Sequence, residues 1–140
     1  MVLEHRLLIF VYRLRAGGCE YLFERRHPVA EFAWTPIPAM LGPSDSFESA
    51  MHRSMRDEWH APPPERLLDL RVCGHFAVGD VELVDWGVGY GVRPNWEPRA
   101  ARPGDEADLA WRPLPHALAL LDADEARRAL VRLHLDAASS

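Results

Sequence analysis

Apolar and polar positions along this chain switch between the two-residue period of strands and the longer period of helices. Residues 6–14 (RLLIFVYRL) form a nearly continuous apolar run of β-formers, as expected of a buried strand. Ala16-Gly17-Gly18 predicts a hairpin turn, and residues 20–26 (EYLFERR) predict the returning strand, ending on Arg25 and Arg26. Residues 27–35 read as a loop, with Pro36 and Pro38 stiffening the approach to a helix. Gly42 takes over the turn, because Ala39 and Met40 cannot adopt positive φ cheaply. In the helix, Phe47, Ala50, Met51 and Met55 fall at i, i+3, i+4 and i+8, one apolar stripe. Asp45 stands three residues before Glu48, the spacing of a capping box, and Ala61-Pro62-Pro63-Pro64 stops the helix. Residues 67–77 and 82–92 are strand-like runs separated by Gly79-Asp80. The second is rich in Gly and aromatics, as where a sheet bends or a ligand comes close. A polar, Pro-rich loop over 94–104 leads to the acidic stretch 105–111 (DEADLAW) and a short helix over 114–121. A last helix repeats Ala126, Leu130 and Leu133 at i, i+4 and i+7, behind a box-like cap at Asp122 and Glu125.

Composition narrows the class. At 140 residues, 48% hydrophobic and 26% charged, the chain predicts one compact domain over residues 1–140. A net charge of −5 argues against a nucleic-acid polymer, which selects basic surfaces. It leaves a nucleotide open, because a bound metal can neutralise phosphates locally. Cys19 and Cys73 are too few for a disulfide framework or metal site and read as reduced thiols of a cytoplasmic protein. The apolar run 7–12 is too short to span a membrane and lacks a signal-peptide cleavage pattern, so no membrane partner is expected. The seven histidines form no i, i+4 helical pair, and neither a P-loop nor a Gly-x-Ser-x-Gly elbow occurs.

The first helix carries the candidate chemistry. Ser54, Asp57 and Glu58 lie at i, i+3 and i+4 and are surface neighbours, and two adjacent carboxylates attract a hard divalent cation. Around them the chain resembles the Nudix family. That family's box reads Gly, five residues, Glu, seven residues, Arg-Glu-apolar-x-Glu-Glu-x-Gly-apolar. One register keeps Asp45, Arg53, Met55, Asp57 and Glu58, and aligns Trp34 and Pro38 with the family's Trp/Pro entry and Ala50 with its small helix residue. A second register starts at Gly42 with Glu48 and Arg56, and puts His60 and Ala61 where the metal-binding acids belong. The first is preferred because it leaves a carboxylate face. It departs from the box at Ala39, Ser54, His60 and Ala61. Serine can hold a water but cannot act as a base near neutral pH.

The resemblance implies an α/β fold, a Nudix-type α/β/α sandwich with a mixed central β-sheet. It implies hydrolysis of a nucleoside diphosphate linked to another moiety, dependent on Mg²⁺ or Mn²⁺ and weakened by the degenerate box. The residues it singles out are Asp57 and Glu58 as metal ligands, Ser54 beside the attacking water, and Arg53 pairing with an acid such as Asp45 to hold the loop on the helix. Glu106, ahead of Trp111, matches a glutamate that can join the metal site. Arg25 or Arg26 could reach a phosphate, and Trp34, Phe76, Trp86, Tyr90 and Trp96 are candidates to stack on a base. The expected partner is a small-molecule nucleotide or related diphosphate, with a homodimer left open. The competing readings are a catalytically inactive Nudix-fold nucleotide-binding or sensing module and a partner-binding protein that keeps only the architecture.

Overall fold

The computed structural model describes residues 2–26, 34–99 and 107–138. Glu106 and Arg102 lie outside them, as does the side chain of Arg26. The chain runs β1 (Val2–Arg15), β2 (Gly18–Arg26), β3 (Ile37–Leu41), α1 (Phe47–His52), a π-helical segment (Arg53–Glu58), β4 (Arg66–Val78), β5 (Val81–Gly91), β6 (Ala107–Pro113), α2 (Leu114–Leu120) and α3 (Asp124–Ala138). The strands form one sheet in the order β4-β5-β1-β2-β6, with β3 paired to β1 beside β2. β1 and β5 run parallel and every other pair antiparallel, so the sheet is mixed, as expected. Among the described residues, no helix is long and apolar enough to cross a membrane.

β1 is the axis of the molecule, and strand alternation explains its composition. Leu7, Ile9 and Val11 face one core with Ala50, Met51, Met55 and Trp59 of the first helix. Leu8, Phe10 and Tyr12 face the opposite core with Ala117 of α2 and Ala126, Leu130 and Leu133 of α3. A strand covered on both faces needs apolar side chains at successive positions, hence the unbroken run.

Four local expectations are corrected. Residues 37–41 are a strand, paired from Ile9↔Ile37 to His5↔Leu41, where a proline-stiffened approach was expected. Pro38 is tolerated because β3 pairs with β1 alone, and an edge strand has no use for its missing N–H. The helix N-cap is Ser46, whose side chain accepts from Ser49 N–H while Ser49 Oγ accepts from Ser46 N–H, so the capping box is not Asp45/Glu48. α3 begins at Asp124, leaving Asp122 outside it. The glycines of β5 serve packing: a Cβ at Gly89 would meet Leu133 of α3 at 2.6 Å, and one at Gly91 would meet the Tyr12 ring at 2.9 Å. Gly42 does take over the turn, but without positive φ.

At the far end of β1, Arg13 is buried and bonded through Nε and Nη1. Its Nε donates to Glu20 (2.9 Å), and its Nη1 donates to Trp96 O (3.1 Å) and Glu97 Oε1 (2.6 Å). The guanidinium lies 4.0 Å from the centre of the Trp111 ring, whose Nε1 donates to Glu97 Oε2 (3.1 Å). The Arg13 hydrogen bond holds the Glu97 carboxyl below its ordinary pKa.

Candidate functional site

The site begins where β3 hands the chain to α1. Asp45 N–H donates to Gly42 O (3.0 Å), and Asp45 Oδ2 accepts from Gly42 N–H (2.8 Å), which closes the turn. The Arg53 fork then grips the same carboxylate through Nη1–Oδ1 (3.1 Å) and Nη2–Oδ2 (2.8 Å), with a third bond from Nη2 to Met40 O (3.1 Å). One guanidinium thus ties the end of β3, the turn and the helix together. The Arg53 hydrogen bonds, and then the Gly42 N–H, lower the Asp45 carboxyl pKa to about 2. Arg53 is raised in return. Its fork is committed to positioning the loop.

Beside this clasp lies a cavity of about 390 Å³ whose walls include Arg6, Met40, Arg53, Ser54 and Glu58. Ser54 is 4% exposed, and its Oγ has no hydrogen-bond partner among the described residues. A buried hydroxyl in that state favours a ligand or water that can bond to it.

Asp57 does not share this wall. Its side chain is 60% exposed and meets Arg56 at 3.4 Å. The winding of Arg53–Glu58 accounts for the split. An α-helix turns about 100° per residue, so an acid three residues after Ser54 would sit about 60° from it. A π turn, closing i to i+5, advances only about 80° per residue, which carries Asp57 to about 120° while Glu58 stays within about 40° of Ser54. The helix then ends in a left-handed cap, with Ala61 N–H reaching back to Met55 O (2.9 Å) and His60 N–H to Arg56 O (3.1 Å). His60 holds the left-handed conformation, φ 54°, at the position where the Nudix box has Gly. A side chain at such a φ costs about 1–2 kcal/mol. The helix thus ends at a left-handed residue ahead of the prolines, which only follow it.

Among the described residues, no group of three or more His, Cys, Asp or Glu side chains converges to hold a metal. Glu106 falls outside those residues.

Arg25 and Trp34 lie apart from the Glu58 cavity. Arg25 shares its strand face with Tyr21 and Phe23, which pack toward α2 and α3, away from the first helix. Its Nη2 donates to Asp108 (2.8 Å), and its guanidinium lies 4.8 Å from the centre of the Trp34 ring. Neither residue lines the Glu58 cavity. Of the other aromatics, Tyr90 and Trp96 are buried in the core on the first-helix face. Trp86 donates Nε1–H to His5 (3.1 Å) and packs 5.4 Å from Phe47, which is 39% exposed rather than in the core. Sequence reasoning missed Arg6 and Met40. A lone cation opening an apolar strand and a methionine behind a proline carry no periodic signal.

No known family pattern and no curated protein matches the sequence. Solved structures do match the fold along nearly its whole length. A C. elegans Ap4A hydrolase in a binary complex superposes with TM-score 0.71 at 16% identity, covering 98% of this chain and 99% of that one. The NUDIX domain of Shewanella oneidensis NrtR, complexed with ADP ribose, gives TM-score 0.70 at 13% identity, over 95% and 90% of the two chains. The Nudix hydrolase RenU from M. smegmatis gives 0.68 at 17% identity, over 99% and 89%. Such identities speak for architecture alone, and the architecture is the Nudix fold.

Proposed function

We propose that the cavity beside the Arg53–Asp45 clasp binds a nucleoside diphosphate linked to another moiety and hydrolyses the diphosphate, with a divalent cation as helper. The observation that carries this reading is that Glu58 and the unpartnered hydroxyl of Ser54 share one cavity wall. The donors fit a hard cation: both are oxygens, and Mg²⁺ is commonly held by one or two carboxylates plus waters and the substrate's own phosphates. Glu58 is the residue that would hold it. Once bound, such a cation neutralises phosphate charge and lowers the pKa of a coordinated water. The chain's own part is positional. Glu58 orients the reacting end, the Ser54 hydroxyl holds a water or phosphate oxygen, and Arg53 keeps turn and helix in register through Asp45. The Ap4A hydrolase and the ADP-ribose-bound domain among the similar folds support a nucleotide-linked diphosphate as the ligand class.

The test is a panel of nucleoside diphosphate sugars, dinucleoside polyphosphates and nucleoside triphosphates with Mg²⁺ or Mn²⁺. Release of phosphate or monophosphate, slowed about 100-fold in Glu58→Gln, is expected. No release from any member overturns hydrolysis.

A second reading, binding without turnover, is favoured by Ser54, which brings neither charge nor a base to the wall, and by Asp57 standing outside it. It predicts a rise in melting temperature with ADP-ribose at millimolar concentration, alongside no turnover. No shift would exclude it.

A further inference from the structure

A second cavity, of about 200 Å³, lies on the α2/α3 side of the sheet and shares Arg6 with the Glu58 cavity. Its polar wall is a fixed ion pair. Arg6 Nε donates to Asp85 Oδ1 at 2.8 Å and Arg6 Nη2 to Oδ2 at 2.9 Å, with Asp85 only 2% exposed. Arg6 Nη2 carries a second N–H that the fork does not use and that lies on its flank, next to Oδ2. Each Asp85 oxygen accepts one bond from Arg6 and has capacity for another.

Thr35 and the exposed Asp122 also line the cavity, and the rest of its wall is apolar. The register of β4 against β5 shifts between Val72 and Gly74. Such a bulge re-aims the side chains that follow it. The Phe76 ring folds back over Gly74, where a Cβ would meet it at 2.7 Å and Asp85 Cβ at 3.4 Å, so only glycine admits the ring there. Leu8 and Leu121 add further apolar surface. Cys73, also on the wall, is 1% exposed, and burial, followed by the Asp85 charge, pushes its thiol up to about 12, so it remains a neutral SH group.

Charge and size together define what fits. The buried Arg6–Asp85 pair carries no net charge and the exposed Asp122 is screened by solvent, so neither a phosphate nor an ammonium meets a buried counter-charge here. The wall offers an unused N–H donor beside a carboxylate acceptor, between apolar surfaces, in a space too small for a nucleotide. We infer that this cavity is a binding site for a small, neutral, planar heterocycle with a lactam edge, its ring N–H donating to Asp85 and its carbonyl accepting from Arg6. The inference goes beyond the diphosphate reading and stands whether or not the Glu58 cavity hydrolyses anything.

The probe pair is 2-pyridone, the simplest such lactam, and N-methyl-2-pyridone, which keeps ring and carbonyl but lacks the N–H. In backbone-amide NMR titrations of the full chain, 2-pyridone is expected to shift Cys73, Asp85 and Leu121 saturably in the millimolar range, and the N-methyl analogue to bind at least tenfold more weakly. Asp85→Asn should abolish the preference. Where that variant does not fold, Ala123→Leu, which adds bulk to a half-buried wall residue without touching the ion pair, should abolish binding instead. Equal affinity for the two probes, shifts confined to the Glu58 cavity, or no shifts at 50-fold molar excess would each overturn the inference.

Discussion

The first and last helices take the same kind of apolar periodicity to opposite ends. α3 is a regular helix of 15 residues that buries Ala126, Ala129, Leu130, Leu133 and Ala137 in one stripe and keeps Arg127 and Arg128 out of the core. The first helix also buries a stripe, Ala50, Met51, Met55 and Trp59, but it turns α-helical for only six residues before widening into a π turn. In α3, winding and packing agree. In the first helix the core contacts are kept while the polar positions between them rotate, so Ser54 and Glu58 reach the cavity and Asp57 does not. π turns tend to occur at functional sites for this reason: one change in winding re-aims the side chains of a whole turn.

The largest contrast is in packing. Leu133→Ala, which empties the space over Gly89, should cost about 2–5 kcal/mol in chemical denaturation, as buried leucine deletions do. Next comes the acid pair. Glu58→Gln should lower kcat/KM by about 100-fold, near 2.7 kcal/mol, while Asp57→Asn stays within about threefold of wild type. Equal losses in the two variants would show that the segment rewinds to a regular helix in the loaded protein, and the contrast between the helices would then belong to the empty state alone. A smaller effect is expected at the helix end. His60→Gly relieves a left-handed residue and should raise stability by about 0.5–1 kcal/mol. No gain would locate the strain elsewhere in the π turn.

The smallest effect is pH-dependent. Arg53 and the Gly42 N–H hold the Asp45 pKa at about 2, below its ordinary 3.8. A depressed acid contributes stability that is complete above the ordinary value and disappears as pH falls through the depressed one. The melting-temperature gap between wild type and Asp45→Asn should therefore be constant above about pH 5, narrow below pH 4 and close near pH 2. A gap unchanged at pH 2 would remove the clasp from the account.

How much could be read from residues alone follows the same division. The β1–β2 hairpin and the α3 stripe were legible because apolar spacing reports directly on which side chains face a core. The Arg53–Asp45 pairing was legible because opposite charges bracket a loop that needs fixing. β3 was not, since Pro36 and Pro38 argue against a strand unless its edge position is known. The cap fell to Ser46 because Arg53 had already claimed Asp45. The winding of Arg53–Glu58 leaves no mark in residue identity, so the pair at 57 and 58 was treated as one feature when it is two. The layer that Arg25 serves was not legible either, because strand parity, not adjacency to a loop, decides it.

Arg13 has a bearing on how this protein could change over time. A single guanidinium holds Glu97 before one loop and Trp111 after it, so both ends of the intervening stretch are anchored to the same point on β1. Lengthening a stretch already closed at its base costs little, since closure entropy grows only with the logarithm of length. Insertions or replacement between Glu97 and Ala107, the first residue of β6, should leave the sheet undisturbed, which makes that interval the natural place for the chain to acquire new selectivity without refolding.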